Sequence, residues 1–198
     1  MRLVVAYSSI AQMGFIVLGI FALQDKGAQG ALLQMLNHGL VVVPLFLIIG
    51  VIAARAGGSE SLSELGGMAF RAPVLATLFL IVSFATLAMP GSANFVGEIL
   101  VLFGTFENKF VYGLVASVGV VLAAVYMIRM YQRTMHNRPG AVVESREIDG
   151  LNLAAIAPLV AVIVALGVYP NFVVHRTEKA TKAAIAEASG IGQQVAAR

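Results

Sequence analysis

The sequence predicts an all-α membrane protein with five transmembrane helices, the third of them broken at mid-membrane. Three observations carry this. Of the 198 residues, 59% are hydrophobic and only 12% charged, with a mean hydropathy of +0.89, whereas a soluble domain carries about 25% charged residues. The apolar residues gather in runs of about 20, the length a helix needs to cross a hydrocarbon core about 30 Å thick. One run is far longer than the rest and is interrupted by Pro and Gly. The chain has no Cys, and together with this composition that excludes a secreted disulfide scaffold, a cysteine-ligated zinc site, a disordered segment and a nucleic-acid binder.

The runs are Leu3–Leu23, Ala31–Ala54, Pro73–Phe106, Val111–Met130 and Leu151–Tyr169, each bounded by Gly, Pro or charged residues. The first is too long for a cleavable signal and no small-residue cleavage site follows it, so no signal peptide is expected. The first, second, fourth and fifth each fit one crossing. The third covers roughly 34 residues, or about 51 Å as one straight helix, beyond ordinary tilt. Its middle reads Ala88-Met89-Pro90-Gly91-Ser92-Ala93-Asn94. Pro90 removes a backbone donor and clashes with the preceding turn, and Gly91 and Asn94 tolerate non-helical angles. Two half-helices joined near residues 90–94 are therefore expected. Between the second and third runs, Ser61 and Glu64 fit the Ser-x-x-Glu helix-start pattern, which is common by chance. After the transmembrane part, residues 1–172, a tail at 173–198 contains an Ala-rich stretch, 177–188, expected to form a short helix ending at Gly190.

Lys and Arg orient the spans. Arg2, Arg55, Arg71, Arg129, Arg133, Arg138 and Arg146 fall on one side and Lys26 and Lys109 on the other, with the tail set aside. The asymmetry predicts a cytoplasmic N-terminus and 131–150 loop, an external C-terminus, and a multi-pass protein of the cell inner (plasma) membrane, with the lipid bilayer as its surroundings.

Removing every ionisable residue in a loop or at a span end leaves two, His38 and Glu98. An ionised carboxylate in hydrocarbon costs at least about 2.5 kcal/mol, so such residues face a bundle interior or water and mark proton or ion paths. Glu98 follows the helix break, where freed backbone groups hold water and polar side chains. It is read as a proton-exchanging group, against the plainer alternatives of a neutral, hydrogen-bonded acid in the break or a residue lying near an interface. His38 can take up and release a proton at either ring nitrogen. It lies beside Asn37 and one turn from Gln34, which favours a relay over a hydrogen-bonded packing residue. Ser8, Ser9 and Gln12 form a polar cluster in the first span, suited equally to organising water and to plain interhelical hydrogen bonding. Asn94 adds a polar group beside the break. No metal constellation, phosphate loop, Ser/His/acid grouping or redox-centre ligand set can be assembled. Redox chemistry would have to occur elsewhere.

The strings AYSSIAQMGF, GALLQMLNHGLVVVPLFLIIG, LGGMAFRAPVLATLF, ATLAMPGSANFVGEILVLFG and AAVYMIRMYQR resemble, in order and spacing, the C-terminal third of the M chain of bacterial proton-pumping NADH:quinone oxidoreductase, respiratory complex I. This places the chain with the antiporter-like subunits shared with multisubunit cation/proton antiporters and membrane-bound hydrogenases. The choice of the M type rests on Glu98, where the sister chains carry Lys, and on MYQR. The resemblance implies a protein of about fourteen transmembrane helices built from two inverted repeats, of which this sequence would be helices ten to fourteen. It implies that His38 belongs to a mid-membrane polar axis and that Glu98 is the terminal proton-exchanging residue towards the outer half-channel. Many relatives show His where this chain has Gln12. Implied further are a non-redox proton-pumping translocase subunit with no cofactor of its own, NADH, FMN, iron–sulfur clusters and quinone lying in other subunits. The implied partners are other membrane subunits of the complex, above all neighbouring antiporter-like chains. A subunit of a multisubunit antiporter or membrane-bound hydrogenase, or an inactive fragment, remains the alternative reading.

Overall fold

The apolar runs fold as helices because a backbone in lipid must satisfy its own hydrogen bonds. In the computed structural model, which describes residues 1–138, 144 and 146–196, they are α1 (Arg2–Phe21), α2 (Asp25–Arg55), α3 (Pro73–Thr86), α4 (Ala93–Asn108), α5 (Phe110–Met135) and α6 (Gly150–Val168), followed by α7 (Asn171–Ala196). The described residues contain no strand. Four of these helices, α1, α2, α5 and α6, are long and apolar enough to cross a membrane. The third run is two helices of 14 and 16 residues, about 21 and 24 Å long, and neither spans a bilayer core alone.

The interruption runs from Leu87 to Ser92, three residues earlier at its start than the sequence suggests, and Asn94 already lies in the first turn of α4. Hydrogen bonding explains the shift. The Ala88 N–H donates to the Ala85 carbonyl at 3.3 Å and the Met89 N–H to the Phe84 carbonyl at 3.1 Å, with Ala88 at a left-handed φ of 52°. This is a Schellman ending, complete before Pro90 is reached. Pro90 then prevents the helix from resuming, and Gly91 turns the chain at φ 89°.

One end of the bundle gathers the N-terminus, the 56–72 connection and the segment before α6. The Met1 ammonium donates to the Glu60 carbonyl at 2.7 Å, Arg2 pairs with Glu60 at 2.8 Å, and the Ala69 N–H donates to the Met135 carbonyl at 3.0 Å. The seven arginines named above lie at this end. Arg129 and Arg133 stand on the last turns of α5, which continues past Met130 to Met135, and not in the following loop. At the opposite end Lys26 pairs with Glu107 at 2.5 Å. Residues 139–143 and 145 of the loop, and Arg198 of the tail, are outside the described residues.

The Ser-x-x-Glu match is a chance one, and one expectation fails. Ser61 and Glu64 start no helix: the Glu64 N–H closes a turn onto the Ser61 carbonyl at 3.0 Å, and the Glu64 carboxylate takes the Ser59 hydroxyl. The segment instead buries Leu65 and Met68 in the core as an irregular stretch. The tail helix is not confined to 177–188 either. α7 passes through Gly190, because one Gly in an Ala-rich helix costs only about 1 kcal/mol. Gln29 anchors α7, donating to the Val174 carbonyl at 2.9 Å and to the Thr177 hydroxyl at 2.5 Å, and accepting from the Thr181 hydroxyl at 2.7 Å.

The two halves pack differently. The arginine-rich half is filled by large side chains, among them Ile48, Ile52, Leu75, Phe79, Met127, Met130 and Ile156. In the other half α2 and α4 touch backbone to backbone through small residues. A Cβ placed on Gly30 would lie 2.6 Å from the Val101 nitrogen and 2.7 Å from the Gly97 carbonyl oxygen. Lipid tails are as apolar as Leu, so close approach of this kind is what holds helices together in a membrane.

Candidate functional site

The Gly30–Gly97 approach sets the next residue of α4, Glu98, between α1 and α2. It is 4% exposed, the one buried carboxylate among the described residues. The Gln12 side chain of α1 hydrogen-bonds it. Gln12 Oε1 in turn accepts from Gln34 Nε2 of α2 at 2.6 Å, which leaves the Gln12 NH2 group free to donate to the carboxylate. The result is a directed chain from Gln34 through Gln12 to Glu98. Gln34 fits because α4 has no side chain there: a Cβ on Gly97 would lie 2.7 Å from Gln34 Oε1.

One turn along α2, Asn37 Nδ2 donates to the Ala93 carbonyl at 2.6 Å, at the start of α4 and next to the break. Asn94 is fully buried there. Along this track Gln34 Oε1, Asn37 Oδ1, His38 Nδ1, Ser92 Oγ and both polar atoms of Asn94 have no hydrogen-bond partner among the described residues. Each buried polar atom left alone costs about 1–3 kcal/mol. Their concentration between Glu98 and the break marks a route suited to ordered water, which satisfies such groups.

The predicted residues are therefore brought together unequally. Gln12, Ser8, Gln34, Asn37, Asn94 and Glu98 are buried within a few turns of one another. His38 is half-buried on the flank of α2 and shares no hydrogen bond with Glu98. Ser9 is half-buried, and Pro90 and Gly91 are exposed and act on the backbone alone. One residue was not singled out from the sequence: Tyr126 of α5, whose side chain meets Ser8 and stands in the field of Glu98. Its spacing from Arg129 and Arg133, three and seven residues on, was the available signal, since that spacing shares one helix face.

Chemically, the amides cannot titrate, so they orient water and donors, while Glu98 is the group able to change protonation state at the junction of α1, α2, α4 and α5.

Comparison with known proteins places this arrangement. NADH-quinone oxidoreductase subunit M of Mycobacterium tuberculosis (strain CDC 1551 / Oshkosh) is 45% identical over 178 residues, covering 86% of this chain and 31% of that protein. The subunit M of Rickettsia bellii (strain RML369-C) is 35% identical over 177 residues, covering 88% of this chain and 36% of that protein. The chain thus spans about a third of the length of these relatives. Among solved structures, respiratory complex I from Thermus thermophilus with bound NADH contains a chain that superposes with a TM-score of 0.81 at 29% identity, covering 89% of this chain and 38% of that one. The Mrp complex from Dietzia sp. DQ12-45-1b contains one with a TM-score of 0.80 at 22% identity, over 89% and 41%, a likeness of fold. The family model described as NADH:quinone oxidoreductase/Mrp antiporter, TM, matches residues 1–135, from α1 to the end of α5 and so across the whole polar track. With its broken third span and its buried carboxylate both inside that match, the chain belongs to the NADH:quinone oxidoreductase/Mrp antiporter transmembrane family.

Proposed function

We propose that this chain is part of a membrane subunit of an NADH:quinone oxidoreductase and takes part in proton translocation, with Glu98 as the proton-exchanging group. The observation that carries the reading is Glu98 itself: a lone buried carboxylate, held by a donor chain from Gln12 and Gln34 and reached by unpartnered polar atoms that lead to a helix break. An ionised carboxylate is costly at this depth, so a change of charge nearby shifts the balance between its protonated and ionised forms. That is the property a pump couples to chemistry elsewhere.

In this reading Gln12 holds the ionised form by donating to it, and Gln34 keeps the Gln12 amide in the donating orientation. His38, one turn beyond Gln34, exchanges protons with Glu98 through water along the Asn37–Asn94 track. The chain carries no redox step; NADH, flavin, iron–sulfur clusters and quinone belong to other subunits, and neighbouring antiporter-like chains are its membrane partners. The arginine-rich end faces the cytoplasm and α7 lies on the outer face of the inner membrane, in keeping with the excess of positive charge.

The test is Glu98→Gln in the complete complex. The proton-to-electron ratio is expected to fall while NADH oxidation with an artificial acceptor is unchanged. A wild-type ratio in a normally assembled complex would sink the proposal.

A further inference from the structure

At the arginine-rich end, a cavity of about 910 Å³ opens between α1 and α5. Its wall carries Tyr126, Arg129, Gln132 and Arg133 of α5 and Asn137 just beyond that helix, and Val4 of α1 faces them. Tyr126 is the innermost of the polar lining residues, nine positions and about 13 Å from the last residue of α5. A guanidinium is not left dry in hydrocarbon, so Arg129 and Arg133 draw water into this space.

The inner end of the cavity meets the site described above. The Tyr126 side chain hydrogen-bonds that of Ser8 and lies in the field of Glu98. Ser8 Oγ donates to the Val5 carbonyl at 2.8 Å, so its remaining capacity is to accept, and Tyr126 is the donor. Ser8 and Gln12 are one turn apart on α1. Glu98 is therefore approached from two directions, by Gln12 and Gln34 on the side of α2 and by Tyr126 on the side of the cavity.

We propose that Tyr126 relays protons between Glu98 and a hydrated cavity between α1 and α5, giving Glu98 a path to the arginine-rich face. This rests on the reading of Glu98 above. The step moves no electrons. The phenol releases Ser8 and passes its proton to the Glu98 carboxylate, directly or across one water, and takes another from a hydronium ion delivered along the cavity water, which is left as neutral water. One O–H bond breaks and one forms at the phenol oxygen, which ends as it began. Arg129 and Arg133 stay charged and keep the outer part of the path wet.

The experiment uses the complete complex in sided membrane vesicles and three separate substitutions. Tyr126→Phe removes the hydroxyl and keeps the ring; it is expected to slow proton translocation about tenfold or more, with NADH oxidation by an artificial acceptor unchanged. Val125→Cys places a thiol on the cavity wall, in a 198-residue sequence that otherwise holds no cysteine, and the unsubstituted complex sets the labelling background. It is expected to react with a membrane-impermeant anionic methanethiosulfonate from the arginine-rich face only. Leu114→Cys, on the same helix but away from the cavity, is expected to stay unmodified. A Val125→Cys thiol that resists the reagent from that face overturns the proposal, since lipid or packed protein then fills the space. Wild-type pumping by Tyr126→Phe beside a defective Glu98→Gln overturns the relay and leaves the Glu98 reading standing, whereas wild-type pumping by both removes the reading underneath. If Tyr126→Phe fails to assemble, the labelling decides alone.

Discussion

Gly30→Ala tests whether backbone contact between α2 and α4 builds the site. The added Cβ would lie 2.6 Å from the Val101 nitrogen, 2.7 Å from the Gly97 oxygen and 2.8 Å from the Leu100 Cβ. Comfortable separations are about 3.5 Å, so α2 and α4 must part by nearly 1 Å. Two of the three atoms are backbone and cannot rotate away. Overpacking of this kind costs about 1–3 kcal/mol, and here the upper part of that range applies. Replacing Gly by Ala in a helix returns about 1 kcal/mol, so the net loss is about 2 kcal/mol. The control is Gly50→Ala in the same helix, whose Cβ would meet nothing within 4 Å among the described residues and which keeps the full propensity gain. The two variants should differ by about 3 kcal/mol, roughly a hundredfold in unfolding equilibrium constant. Titrating the purified full-length subunit from mild detergent into dodecyl sulfate, followed by helicity, measures this. Glu98 neighbours Gly97, so Gly30→Ala should also impair proton translocation, since displacements of about 1 Å cost up to about a hundredfold in positioned chemistry. Equal stability of the two variants would refute the claim that close approach sets the depth of Glu98.

Three further outcomes follow from named contacts. Glu147 caps α3, accepting from the Val74, Leu75 and Ile148 N–H groups at 3.0, 3.2 and 2.8 Å. Partial burial alone would raise its pKa, but those three N–H groups and the Arg55 charge outweigh it and hold the carboxyl below its ordinary value. With the folded value depressed, the cap contributes fully above the ordinary carboxylate range and fades as pH falls through the folded value. Glu147→Ala should cost about 1 kcal/mol at neutral pH and remove that part of the acid sensitivity, read from melting midpoints across an acid series. Ala88→Gly should stabilise the subunit by about 1 kcal/mol, because Ala88 sits at φ 52° in the left-handed region and Gly does not resist it; an unchanged or lower melting midpoint would count against the Schellman ending. Gln12→Leu strips a buried Gln34 donor of its partner and should cost about 1–3 kcal/mol, while slowing translocation in the same assay as Glu98→Gln. Full activity in that variant would show that Glu98 needs no donor from α1.

Much of the fold was legible because a bilayer imposes a length rule. Runs of the right length became α1, α2, α5 and α6, and the overlong run had to break. Pro90 marked the break correctly but not its start, because the Ala88 turn that ends α3 rests on backbone bonds that composition does not reveal. The length of α7 was misjudged, because its Ala-rich stretch was weighed without knowing what the flanking residues pack against. In the site, Glu98 stood out because burying a charge is costly. Its neighbours were harder to rank: Gln12 makes the direct contact and His38 does not.

The sequence by itself determined that this is a helical membrane chain with a discontinuous third span, with its arginines gathered at one end, and that one carboxylate lies inside it. Those properties depend on the transfer cost of each residue taken singly. Tertiary structure decided which polar groups meet. Helices that are apolar all round carry no amphipathic stripe to show which face turns inward. The rotation of α1 that brings Gln12 to Glu98, and of α5 that brings Tyr126 to Ser8, follows from where Gly30 and Gly97 let backbones close together and where large side chains hold them apart.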